Sequence, residues 1–139
     1  MMKSTLTALC LFVALVFVSH AWGLDFQEGR YEITSSIDMP GMPGAIPPTT
    51  ITRCMSPQDP VPDQSAAESN CKVIDMKTEG NTVTWKVECQ QEGQTMKGSG
   101  KMTYFGDRFE GLIDTVMLQP QGTMTMKTTI KGKRIGDCP

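Results

Sequence analysis

The stretch Gly80-Asn81-Thr82-Val83-Thr84-Trp85-Lys86-Val87-Glu88-Cys89-Gln90-Gln91-Glu92-Gly93 decides the fold class. Val83, Trp85, Val87 and Cys89 alternate with Thr84, Lys86 and Glu88, the period of two that a half-buried strand requires. Gly80-Asn81 and Glu92-Gly93 bound the segment, and both dipeptides suit tight hairpins that need positive φ. The same rhythm continues on both sides. Segments 71–79, 94–104, 108–118 and 123–135 read as further strands, with breaks at Gly106-Asp107 and Pro120-Gln121-Gly122.

Upstream the pattern is looser. Residues 29–38 alternate, with Tyr31, Ile33 and Ile37 on one face and Glu32, Thr34 and Asp38 on the other. The run Met39-Pro40-Gly41-Met42-Pro43-Gly44-Ala45-Ile46-Pro47-Pro48 then denies the backbone a regular ladder, so residues 39–48 are expected to form a mobile loop. Residues 49–55 return to a strand carrying Ile51 and Cys54. A proline-rich loop follows over 56–70, within which a short helix at 63–69 can be capped by Asp63. The expected fold is all-β: an antiparallel up-and-down meander of about seven strands, forming a strongly curved sheet or small barrel. Glycines fall on the parity of large apolar residues, as in Met96, Gly98, Gly100, Met102 and Tyr104, or Phe109, Gly111, Ile113 and Met117. Interior glycine lets a sheet bend sharply.

Residues 1–21 read as a leader. Lys3 is a short positive region, Leu6 to Val18 is apolar apart from Thr7, and Ser19-His20-Ala21 places small residues at the positions a signal peptidase reads. Cleavage after Ala21 leaves 22–139 as a single β domain with no second apolar span. Of 13 basic residues Lys3 goes with the leader, against 15 acidic ones. That balance leaves no basic excess for nucleic acid.

Histidine sets the chemical limits. The single histidine is His20, inside the leader. The remaining chain therefore lacks imidazole for a nucleophilic triad, for zinc or for general base work near neutral pH. No pair of carboxylates stands at a recognisable catalytic spacing. The expectation is a protein that is not an enzyme, with no catalytic residue, no metal site and no cofactor.

Cys10 leaves with the leader; Cys54, Cys71, Cys89 and Cys138 remain, and two disulfides are expected in an oxidising compartment. A two-residue turn at Gly80-Asn81 sets Trp85 against Met76 and Val87 against Ile74. In that register Cys89 shares the Trp85 face, and Cys71, by alternation, points away from it. Direct bonding of these two is thereby excluded. Of the two remaining pairings, Cys54–Cys71 with Cys89–Cys138 is favoured, because the first closes the proline-rich loop and the second pins the chain end to the apolar face. The rival is Cys54–Cys89 with Cys71–Cys138.

Several phrases carry a resemblance. They are Gly29-Arg30-Tyr31-Glu32-Ile33-Thr34, Met39-Pro40-Gly41-Met42-Pro43, Thr52-Arg53-Cys54-Met55-Ser56-Pro57, Asn81 through Cys89, and Gly132-Lys133-Arg134-Ile135-Gly136-Asp137-Cys138. In this order they resemble an uncharacterised family of exported bacterial proteins, domain of unknown function 3617. The resemblance implies a Gram-negative periplasmic setting. It implies no activity and no site residues.

Three roles fit these constraints. The first is a binding module for a small apolar ligand or lipid, lined by Trp85, Met96, Met102, Tyr104, Phe109 and Met126. The second is an envelope structural or interaction protein, using the loop at 39–48 or the basic residues Lys127, Lys131, Lys133 and Arg134. The third is a methionine-based Cu(I) protein, resting on Met39-x-x-Met42 and Met124-x-Met126. The first is preferred.

Overall fold

Alternation and turn glycines translate directly into strands. The computed structural model describes residues 23–58, 60 and 70–139. Its strands are β1 (Gly29–Asp38), β2 (Thr49–Met55), β3 (Asn70–Glu79), β4 (Thr82–Gln91), β5 (Gln94–Tyr104), β6 (Arg108–Gln119) and β7 (Gly122–Gly136). Each lies within two residues of its expected bounds. Glu92 and Gly93 both take positive φ at the β4–β5 turn, as a tight hairpin demands. The expected helix at 63–69 and the leader at 1–21 fall outside the described residues.

All seven strands form one antiparallel sheet in the order β2-β1-β7-β6-β5-β4-β3. From β3 to β7 the sheet is a consecutive meander. The β1–β2 hairpin joins its far side, with β1 against β7. The sheet is open rather than a closed barrel: β2 and β3 are its edges. The residues of 39–48 form no strand and are mostly exposed, between β1 and β2.

One face carries the core. Tyr31, Ile33, Val83, Met102, Tyr104, Phe109 and Ile130 are fully buried, with Phe26, Met55, Trp85 and Ile113 nearly so. Among the described residues there is no helix and no second sheet to cover this face. Side chains of a single sheet are buried so deeply when the sheet curls round on itself. The Phe26 ring illustrates the curl. Its centroid lies 5.3 Å from that of Tyr31 on β1 and 4.8 Å from that of Tyr104 on β5. Along the sheet those strands are three spacings apart, about 14 Å.

The glycines on the core parity make room for this packing. An added Cβ at Gly100 would collide with the Trp85 indole, and one at Gly132 with the Phe109 ring. At Gly111 it would strike the Met102 sulfur. Each large side chain lies across its neighbour's glycine, as the registers Trp85↔Gly100, Phe109↔Gly132 and Met102↔Gly111 require.

The disulfides correct the expected pairing. They are Cys54–Cys138 and Cys71–Cys89, so neither Cys54–Cys71 nor Cys89–Cys138 forms, and the rival pairing is also absent. The reason is local. Met76 faces Trp85 and Asp75 faces Lys86, as the Gly80-Asn81 turn dictates. A β-bulge at Ile74 then shifts the register by one, so that Val73 faces Val87 and Cys71 faces Cys89. An extra residue in one strand turns every following side chain to the other face. Cys71 thereby reaches Cys89 directly, with Cα atoms 3.9 Å apart.

The two bridges share a logic. An edge strand has one neighbour to hold it. The Cys71–Cys89 bond ties edge strand β3 to β4, and Cys54–Cys138 ties edge strand β2, across β1, to the tail after β7.

Candidate functional site

The inner face has two unlike ends. At one, the starts of β1, β4 and β6 meet the ends of β5 and β7. The segment at 24–27 lies across this end: the Gly106 amide donates to the Asp25 carbonyl at 2.7 Å, and the Gln27 amide to the Gly106 carbonyl at 2.9 Å. Phe26 thus joins Tyr31, Tyr104 and Phe109 in an aromatic plug. Both tyrosine hydroxyls keep partners, as buried phenols require. Tyr31 donates to the Gln27 carbonyl at 2.6 Å, and Tyr104 to the carbonyl of Pro60. Burial pushes the Tyr31 phenol above its ordinary value, with the Arg134 cation opposing. Arg134 itself lies over Gly29, donates from Nε to the Glu28 carbonyl at 2.9 Å and pairs with Asp137.

The other end is lined by methionine. Cys89 faces Met96, Met96 faces Met117, and Met117 faces Met124. Met126 lies one step along β7, opposite Thr115. Met96, Met117 and Met126 are half-buried and Met124 is exposed.

The two edges of the inner face are exposed apolar surface. On β3, Val73, Ile74 and Met76 are 59, 60 and 52 % exposed, and on β2 Ile51 is 50 % exposed. The Met76 row is buried further in at Trp85, Gly100, Ile113 and Thr128, and the Ile51 row at Ile33, Gly132, Phe109 and Tyr104, while the Val73 row is only half-buried at Val87, Gly98 and Met126. Isolated exposed apolar residues are ordinary, whereas here three fall within four consecutive positions of one strand.

The expected lining residues therefore divide. Met102, Tyr104 and Phe109 are wholly buried and Trp85 nearly so; they pack the core. Met96 and Met126 stand at the open, methionine-lined end. Sequence reasoning missed Met117, Met76, Val73 and Ile51 as members of the accessible surface. The parity of Met117, Met76 and Ile51 was readable and that of Val73 was inverted by the bulge at Ile74, while the edge positions of β2 and β3 depend on strand order, which alternation does not reveal.

The outer face is mostly polar, with Leu112, Val116 and Leu118 on β6 as apolar members. Lys127 faces Asp114 on one side and Asp38 on the other, Lys133 faces Glu32, and Lys131 faces Glu110. The Lys127–Asp114 ion pair is 3.9 Å long and well exposed. Such pairs contribute about 0–1 kcal/mol. A shallow groove on this face runs past Ser99, Lys101, Thr103, Glu110 and Lys131, with both signs of charge along it. The basic residues thus sit in a mixed-charge lattice rather than a cationic patch. No helix among the described residues is long and apolar enough to cross a membrane.

A family model described as protein of unknown function, DUF3617, matches residues 26–138. The chain belongs to that family. The match takes in every strand of this DUF3617 protein, the four cysteines, Phe26 of the plug and the methionine row. No curated protein and no solved structure matches the chain significantly. For this family member the geometry must carry any functional reading.

Proposed function

We propose that this DUF3617 protein is an exported, periplasmic, non-enzymatic module that binds a small apolar ligand or lipid. The observation that carries the reading is the exposed apolar strip on the inner face at the sheet's edges, Val73, Ile74 and Met76 on one side and Ile51 on the other. Those are the positions at which a curled sheet opens instead of closing. An acyl chain lying there would cover surface that otherwise faces water, at about 25 cal/mol per Å² of apolar area removed. The leader pattern at 1–21 supports export, as does the commitment of all four remaining cysteines to disulfides.

The test uses Trp85, whose cross-strand neighbour is Met76. The chain has two tryptophans, so Trp22→Phe leaves Trp85 as the sole indole emitter. Titration with a brominated fatty acid should quench Trp85 emission saturably. Native mass spectrometry of the protein purified from its own periplasm should show a retained lipid mass. Absence of both signals would overturn the reading.

A further inference from the structure

We propose that Met96, Met117 and Met124 form a thioether site for a soft monovalent cation, Cu(I) or its analogue Ag(I), with Met126 as the fourth sulfur. The sequence offers these residues at scattered positions. The sheet assembles them: β5, β6 and β7 are neighbours, and the registers Met96↔Met117 and Met117↔Met124 set three methionines side by side on one face. Directly opposed residues have Cβ atoms about 5 Å apart. Methionine is unbranched with three rotatable bonds, so Met96 and Met124 can both lean toward Met117 and bring their sulfurs round one ion. Met126, diagonal to Met117 across the β6–β7 pair, closes the set from below.

The surroundings select the ion. Thioethers are neutral and soft, which suits Cu(I) and Ag(I) over hard or divalent cations. The adjoining inner-face positions are Val87, Gly98, Thr115, Thr128 and Cys89, none of them charged. Cys89 is held in its disulfide and supplies no thiolate. Among the described residues no group of three or more His, Cys, Asp or Glu is placed to hold a harder metal. The half-burial of Met96, Met117 and Met126 keeps the sulfurs partly out of water while leaving a path for the ion. Met42, 52 % exposed in the loop after β1, is not needed for the site, whereas half-buried Met39 follows Asp38, the partner of Lys127, and so comes beside Met126.

The experiment titrates the mature protein, labelled with 13C at the methionine methyls, with silver nitrate in chloride-free buffer. One equivalent of Ag(I) should saturate, read by native mass spectrometry. The methyl signals of Met96, Met117 and Met124 should shift together while that of the fully buried Met102 stays. Met117→Leu, close to volume-conserving and checked for folding by its near-ultraviolet dichroism, should weaken binding by about tenfold or more. Met42→Leu, at an exposed loop position, should leave affinity unchanged. Failure to saturate near one equivalent, shifts confined to Met42, or an unchanged affinity in Met117→Leu would each overturn the proposal. If that variant does not fold, the methyl shifts of the unsubstituted protein decide. The silver titration is independent of the fatty-acid quenching, so either reading can fail alone.

Discussion

The two ends of the inner face are built on the same strands with the same side-chain parity, yet they are different materials. At one end Phe26, Tyr31, Tyr104 and Phe109 interlock over glycines, with neighbouring ring centroids 4.8–6.5 Å apart and the tyrosine hydroxyls bonded to backbone carbonyls. At the other, Met96, Met117, Met124 and Met126 stand in a row with no ring among them. Rigid aromatics with few rotatable bonds specify one packing; methionine accommodates many. The aromatic end is where the fold is held, and the methionine end is where it can adapt. A single curled sheet thus separates rigid from adaptable packing along its length rather than between domains.

The most severe way to break this contrast is at the plug. Phe109→Ala should lower unfolding free energy by about 3–5 kcal/mol, measured by urea denaturation, since it empties the centre of the aromatic cluster and leaves Gly132 uncovered. An intermediate effect is expected where rigidity does reach the methionine end. Cys89 is buried and faces Met96, so replacing Cys71 and Cys89 together by serine should cost about 3 kcal/mol, the chain-entropy value for a loop of this length. Non-reducing peptide mapping should join the peptides of Cys71 and Cys89. The mildest change is Met126→Leu, expected to cost below about 1.5 kcal/mol because volume is conserved at a half-buried site. A loss matching that of Phe109→Ala would abolish the distinction between the ends.

Most strands were legible because two local signals agree along β3 to β7: apolar alternation and turn residues at every break. Tyr31, Ile33, Val83, Trp85 and Phe109 were expected inside and are buried; Val87, also expected inside, is half-buried because edge strand β3 beside it covers little. The disulfides were not legible through strict alternation. The clue lay in Val73-Ile74-x-Met76, where two adjacent apolar residues interrupt the period of two. Matching Met76 to Trp85 and Cys71 to Cys89 at once requires one extra residue between them, and Ile74 is that residue. The pairing of β1 with β7 was hidden for another reason. It joins the two ends of the chain, and neither strand carries a local mark of its distant partner. The row of methionines on β5, β6 and β7 needs only the consecutive hairpins of the meander and their registers, Met96↔Met117 and Met117↔Met124, so it was within reach of the sequence.

The strand order also dictates a timetable. β1 and β2 are the first strands to leave the ribosome, and their hairpin has a ready local partner. The second flank of β1, however, is β7, and the bond that secures β2 uses Cys138, 84 residues after Cys54. Until β7 has been made, β1 has only half its ladder and no strand joins it to β6, which carries Phe109. Closure of so distant a contact is slow relative to the hairpins between. The first strands made are therefore the last to be enclosed.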